Sequence, residues 1–167
     1  MDSPSIHSSG SSADGGSNES LDVQIKRLVA GQPFAVLCTQ GQGQPYGSLV
    51  AFAVTPDLSH AVFVTPKATR KYRLLSECDH VALVIDNRPD FPDALMDVEA
   101  VTATGRAVLV EPGDDFEQWA QMLIQRHAYV TRFVRSDSCG LFQVQIVRYF
   151  HVGRFQEVRQ WVPPIRG

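Results

Sequence analysis

Lysine is scarce in this chain. Lys26, Lys67 and Lys71 are the only three in 167 residues, and the formal net charge is −3. A net acidic domain is poorly built for general nucleic-acid binding, which calls for a basic surface. Cysteine is equally sparse. Cys38, Cys78 and Cys139 are odd in number, far apart and never spaced C-x-x-C. That argues against a disulfide framework and fits a reducing cytoplasm. No apolar run approaches the ~18 residues of a membrane helix, so no membrane partner is expected. The Walker A sequence, the EF-hand loop and a Ser–His–Asp order are all missing.

Met1 to Glu19 is mostly Ser, Gly, Asp and Asn, with Ile6 as its one large aliphatic besides Met1. Such a segment buries too little apolar surface to offset its ordering entropy. Residues 1–19 are expected to be a disordered tail, without the apolar stretch of a secretory signal. Residues 20–167 are long enough for one domain with a proper core.

Periodicity within that domain is mainly that of strands. Leu21, Ile25, Leu28 and Val29 recur at helical spacing before Gly31 and Pro33, which predicts a short opening helix. Phe34 to Thr39, Tyr46 to Val54 and Ala61 to Val64 are runs of strand formers separated by Gly- and Pro-containing turns. They predict an antiparallel meander. Val81 to Ile85 is a fourth strand, and Val98 to Val110 a fifth, with Gly105 marking a bulge or close backbone approach. Phe116, Trp119, Ala120, Leu123 and Ile124 mark a helix that Asp114 or Asp115 is placed to cap. Ala128 to Val134 extends it or forms a second one. Leu141 to Phe150 and Phe155 to Trp161 complete the strands. Several strands are apolar on both faces. One face can fill a barrel, and the other must meet helices or a second subunit. The expected fold is mainly β (α+β): a closed antiparallel β-barrel of six or seven strands, three or four peripheral helices, and a dimeric assembly.

The chemistry concentrates after the third strand. Lys67, Arg70, Lys71 and Arg73 fall within seven positions, with Thr65 and Thr69 among them. Cations are poorly placed at a helix N-terminus, which already carries partial positive charge. Positive side chains, hydroxyls and free N–H groups make sense there if an anion, most simply a phosphate, binds. The alternative is a solvated basic helix face. Other polar groups have plainer readings. Cys78-Asp79-His80 reads as a helix end followed by a strand, and no metal site is expected. Cys38 is expected in the packed core. His151 is expected at a surface or interface, with haem ligation or proton donation as the functional alternative.

Val64-Thr65-x-x-x-Thr69-Arg70-Lys71 resembles the flavin-phosphate motif of the pyridoxamine 5′-phosphate oxidase family. The order of segments around it is similar too: Pro45-Tyr46-Gly47-Ser48-Leu49-Val50 before it, then Val81 to Asp86 and Ala103-Thr104-Gly105-Arg106-Ala107. The resemblance implies an FMN-binding split barrel, a homodimer with two flavins at its interface. It implies that Thr69, Arg70 and Lys71 hold the FMN phosphate, with Lys67 in the same basic segment and Thr65 near the phosphate or ribityl chain. Ser48, Leu49 and Val50 would line the flavin ring through their backbone. The Asp86-Asn87-Arg88-Pro89 loop resembles one that lies near the flavin in some relatives, which adds Asn87 and Arg88 as cofactor-binding candidates.

The chain also departs from the family pattern. Glu99-Ala100 stands where the true oxidases carry Arg-Gln, and His151-Val152-Gly153-Arg154 with Trp161 replaces their C-terminal substrate motif. The implied function is therefore an oxidase-related FMN oxidoreductase acting on a small molecule, with no protein catalytic residue assigned. The alternative is a flavin-, deazaflavin- or haem-binding protein on the same fold that turns over slowly or not at all.

Overall fold

The computed structural model describes residues 19–153 and 157–165. Most of the expected tail, residues 1–18, lies outside the described residues, as do Arg154 and Phe155. The chain opens with α1 (Leu21–Gly31), which buries Ile25, Leu28 and Val29. Strands β1 (Phe34–Gly41), β2 (Gln44–Val54) and β3 (His60–Pro66) follow as a meander. Gln42 and Gly43 make the two-residue turn between β1 and β2, both at positive φ, 53° and 78°. That is the conformation a tight hairpin requires, and glycine adopts it without a Cβ clash.

Helix α2 (Arg70–Glu77) leads into β4 (His80–Asp86) and, after two short 3₁₀ turns, β5 (Ala100–Leu109). Next come α3 (Asp114–Arg126) and, after a 3₁₀ turn over Ala128–Val130, the four-residue α4 (Thr131–Val134). The Ala128 to Val134 segment is thus a separate turn and helix, not an extension of α3. Gly113 precedes α3, and Asp114 is its first residue. The long β6 (Cys139–Val152) and short β7 (Val158–Trp161) finish the fold.

The sheet order is β3-β2-β1-β4-β5-β6-β7, and β3 also pairs with β6. Six antiparallel strands therefore close into a barrel, with β7 as an extra strand on the far half of β6. Closure is possible because β6 is 14 residues long. Its first half pairs with β3 from Cys139 to Gln145, and its last four residues pair with β7. A bulge between Thr104 and Gly105 shifts the β5–β6 register. A Cβ on Gly105 would lie 2.2 Å from the Gln145 carbonyl oxygen, so the close approach expected there is real.

Two cores follow from the alternation of side chains along each strand. Leu37, Phe52, Phe63, Leu83 and Tyr149 fill the barrel interior together with the apolar face of α1. On the outside, Ala53, Val62 and Leu141 meet Leu123, Val130 and Val134 of the α3–α4 layer. Strand β3 contributes to both, which explains its apolar character on either face. Cys38 is a correction. Alternation along β1 turns Ala35, Leu37 and Thr39 inward, so Cys38 faces outward and is only half-buried. Burial holds its thiol above the ordinary range.

Candidate functional site

Thr69 organises the start of α2. Its hydroxyl accepts from the Tyr72 N–H at 3.2 Å, as an N-cap does, and donates to the Pro66 carbonyl at 2.8 Å. A hydroxyl has one proton to give. The 3.1 Å contact between the Thr65 and Thr69 hydroxyls is therefore a bond in which Thr65 donates. The cap takes care of Tyr72 and leaves the Arg70 and Lys71 N–H groups without an acceptor among the described residues. No acidic residue lies in the first turn. A helix N-terminus with two free N–H groups and no acid is an electropositive spot.

The side chains reinforce that field. Arg73 pairs with Glu77 at 3.9 Å. Among the described residues, no carboxylate pairs with Lys67, Arg70 or Lys71. Lys71 turns back to β2 and donates to the Leu49 carbonyl at 3.3 Å. Burial pulls its pKa below the usual lysine range, because a half-buried ammonium loses water without gaining a counter-ion. Arg70 lies over the Tyr46 ring, 5.3 Å from its centroid, a cation–π contact that also reaches β2. Lys67 points elsewhere. It lines a separate cleft of about 280 Å³ with Glu111, Arg135 and Asp137.

Beside this basic end lies an apolar groove of about 320 Å³, walled by Phe34, Leu49, Val50, Val64, Tyr129 and Phe133. Leu49 is 70% exposed and Tyr129 62%, unusual for large apolar side chains clustered on one face. A second groove of about 430 Å³ shares Phe34 and Leu49 and is rimmed by Asp86, Arg88 and Pro89. Each volume is of the order of the ~300–1,000 Å³ of small-molecule sites. Ser48 precedes Leu49, and its hydroxyl is buried without a hydrogen-bond partner among the described residues. Val50 is buried.

The loop candidates divide. The Asn87 side-chain oxygen accepts from the Glu99 N–H at 2.7 Å, and the Asn87 N–H donates to the Glu99 carbonyl at 3.2 Å. Asn87 thus closes the base of its own loop and does not line either groove. Arg88 reaches the second groove, with its Nε 2.9 Å from Asp86. His151 is another correction. It is fully buried, not a surface residue, because alternation along β6 turns it to the same inward face as Tyr149.

Sequence reasoning assembled Leu49, Val50, Thr65, Thr69, Arg70 and Lys71, and the fold brings them together. It missed Phe34, Tyr46, Tyr129 and Phe133. The four-residue spacing of Tyr129 and Phe133 was the available signal, since it puts two aromatics on one helical face.

Residues 21–153 match the family described as pyridoxamine 5′-phosphate oxidase. No curated protein matches the chain by sequence. Among solved structures, the fold resembles a haem-binding protein from Mycobacterium smegmatis, with a TM-score of 0.75 and 16% identity over 86% of this chain and 59% of that one. The chain therefore spans less than two thirds of that protein's length. HutZ, the haem storage protein from Vibrio cholerae, matches with a TM-score of 0.66 and 18% identity over 86% of this chain and 94% of its own. An FAD-binding protein from Mesorhizobium loti matches at 0.63 with 12% identity, over 77% and 91%. At these identities the likeness is one of fold. The family match covers most of the barrel and the basic segment alike: the chain belongs to the pyridoxamine 5′-phosphate oxidase family.

Proposed function

We propose that the protein binds FMN and works as a homodimeric oxidoreductase on a small molecule, in a reducing cytoplasm. The observation that carries this reading is the junction of Lys71 with Leu49. It joins a half-buried cation, without a carboxylate partner among the described residues, at the N-terminal turn of α2 to an exposed apolar groove. An amphiphile with an anionic end and a flat apolar body fits such a site, and FMN is one.

In this reading the phosphate is held by the Arg70 and Lys71 side chains and their N–H groups. Thr69 acts mainly through the backbone it caps, with Thr65 bracing it. Leu49, Phe34, Tyr129 and Phe133 give apolar cover to the ring and exclude water. Bound flavin supplies hydride and electron transfer, and the protein supplies binding, orientation and electrostatics. The same exposed apolar side chains favour a second subunit as the lid on the groove. All three cysteines are free, in keeping with the proposed compartment, and no helix among the described residues is long and apolar enough to cross a membrane.

Haem is the second reading, favoured by the names of two of the structural neighbours. Haem iron takes His, Cys, Met or Tyr ligands. Among the described residues, only Tyr129 of these types lines either groove, which weighs towards flavin. Titration of the purified protein with FMN and, separately, with haemin tests the choice. Quenching of flavin fluorescence that saturates at one FMN per chain supports the proposal. No FMN uptake, with a Soret band developing on haemin addition, overturns it.

A further inference from the structure

His151 and Arg159 sit directly opposite each other on β6 and β7. Their side chains meet, with Arg159 Nη2 3.4 Å from His151 Nδ1. His151 is fully buried, and among the described residues its Nε2 has no hydrogen-bond partner. The Arg159 Nε is likewise buried and has no partner among the described residues. Arg159 spends its Nη2 on the Gln24 side chain of α1 at 2.7 Å, so one arginine fastens β7 to the first helix. On the other side of the imidazole, Glu99 Oε1 lies 3.9 Å from Nε2, too far for a hydrogen bond.

The charged groups around the ring among the described residues are Glu99 just before β5, Arg159 of β7, Glu157 ahead of it, and Arg27 of α1. Arg27 is itself engaged by Glu19. With the ring neutral, the cluster tolerates Arg159 beside it. With the ring protonated, two like charges face each other across a strand pair, which is destabilising. The protonated ring has an alternative partner in Glu99, one small movement away. Strand β7 has only four residues and, among the described residues, one sheet neighbour, so few ladder hydrogen bonds hold it.

We propose that His151 is a proton-operated latch: neutral, it lets Arg159 fasten β7 to α1, and protonated, it pairs with Glu99, displaces Arg159 and releases β7 from the barrel edge. The direction agrees with the ring's environment. Burial first, and Arg159 next, hold its pKa below the ordinary histidine value, against the opposite pull of Glu99. Neutral His151 therefore belongs to the latched state, and acid favours release. Glu99 is also the residue whose backbone closes the loop bearing Arg88, so the latch lies at the base of the groove rim. The inference does not depend on the cofactor assignment.

Hydrogen exchange of the full chain, corrected for the intrinsic pH dependence of exchange, tests it at pH 7.5 and pH 5.5. Protection of the Val158 to Trp161 amides should fall on acidification. The fall should be about tenfold for each pH unit by which latching depresses the ring's pKa, once the pH lies below both values. Arg159→Gln, which removes the repulsion, should flatten that dependence, and NMR titration of the imidazole should move upward in the same variant. His151→Gln should remove the dependence as well. Equal wild-type protection of β7 at the two pH values overturns the latch. So does an undiminished fall in Arg159→Gln.

Discussion

Lys71 of α2 donates its ammonium to the carbonyl oxygen of Leu49 on β2, 3.3 Å away and 22 positions earlier in the chain. One hydrogen bond thus joins the charged end of the site to its apolar groove. It also explains why the cation tolerates partial burial: the carbonyl dipole replaces some lost water, but not a full counter-charge. A bound phosphate would complete the pairing.

Lys71→Ala should therefore weaken FMN binding by about tenfold or more. That corresponds to the ~1.5–3 kcal/mol of a charge-assisted contact. Lys67→Ala should change it little, because that side chain lines a different cleft. Fluorescence titration of the two variants separates them. Equal effects would mean that the basic segment acts only through its summed charge.

Thr69→Val keeps the side-chain shape and removes the cap. Loss of an N-cap costs about 0.5–2 kcal/mol. Both stability and FMN affinity should drop, since the free N–H groups depend on the geometry the cap sets. Thermal melts with and without FMN would report both.

Arg126 carries a different load. It donates to the carbonyls of Phe52, Val29, Ala30 and Gln32 and stacks on Phe52 with its guanidinium 4.8 Å from the ring centroid. It caps the end of α1 from α3 and ties both to β2. Lysine cannot reproduce the planar fork. Arg126→Lys should cost about 2–3 kcal/mol, seen as a melting temperature lower by about 2–4 °C per kcal/mol. An unchanged melt would show that water replaces the fork.

Gly105→Ala places a methyl group against the Gln145 carbonyl, where the ideal Cβ would be only 2.2 Å from the oxygen. Backbone cannot yield as a side-chain tip can. The bulge must open, at a cost of about 3 kcal/mol or more, with loss of soluble folded protein or a large shift in the denaturant midpoint. Gly113→Ala, where nothing lies within 4 Å of the added Cβ, is the matched control.

Much of the fold was legible in the sequence because strand alternation and helical spacing are local. Several strands read as apolar on both faces, with one face for a barrel interior and the other for helices, and β3 does contribute to both cores. Thr65, Thr69, Arg70 and Lys71 were legible because a strand end, a cap and a helix start occupy neighbouring positions. Phe34 and Tyr129 were not. They meet across 95 positions only once the barrel and the α3–α4 layer are in place. Cys38 and His151 were misplaced for a related reason. Alternation gives a residue one of two faces, and what covers that face depends on a distant segment.

By itself the sequence determined the order of strands and helices and the charge and hydroxyls that open α2. These rest on backbone sterics and on contacts within a few residues. The tertiary structure alone decided that β3 closes onto β6, that Lys71 faces Leu49, that Arg126 caps a helix about 95 residues away, and that His151 lies buried between Glu99 and Arg159. Those outcomes depend on which surfaces long-range strand pairing brings together. No local pattern specifies them, because the entropy of closing such loops is offset only when the whole barrel forms.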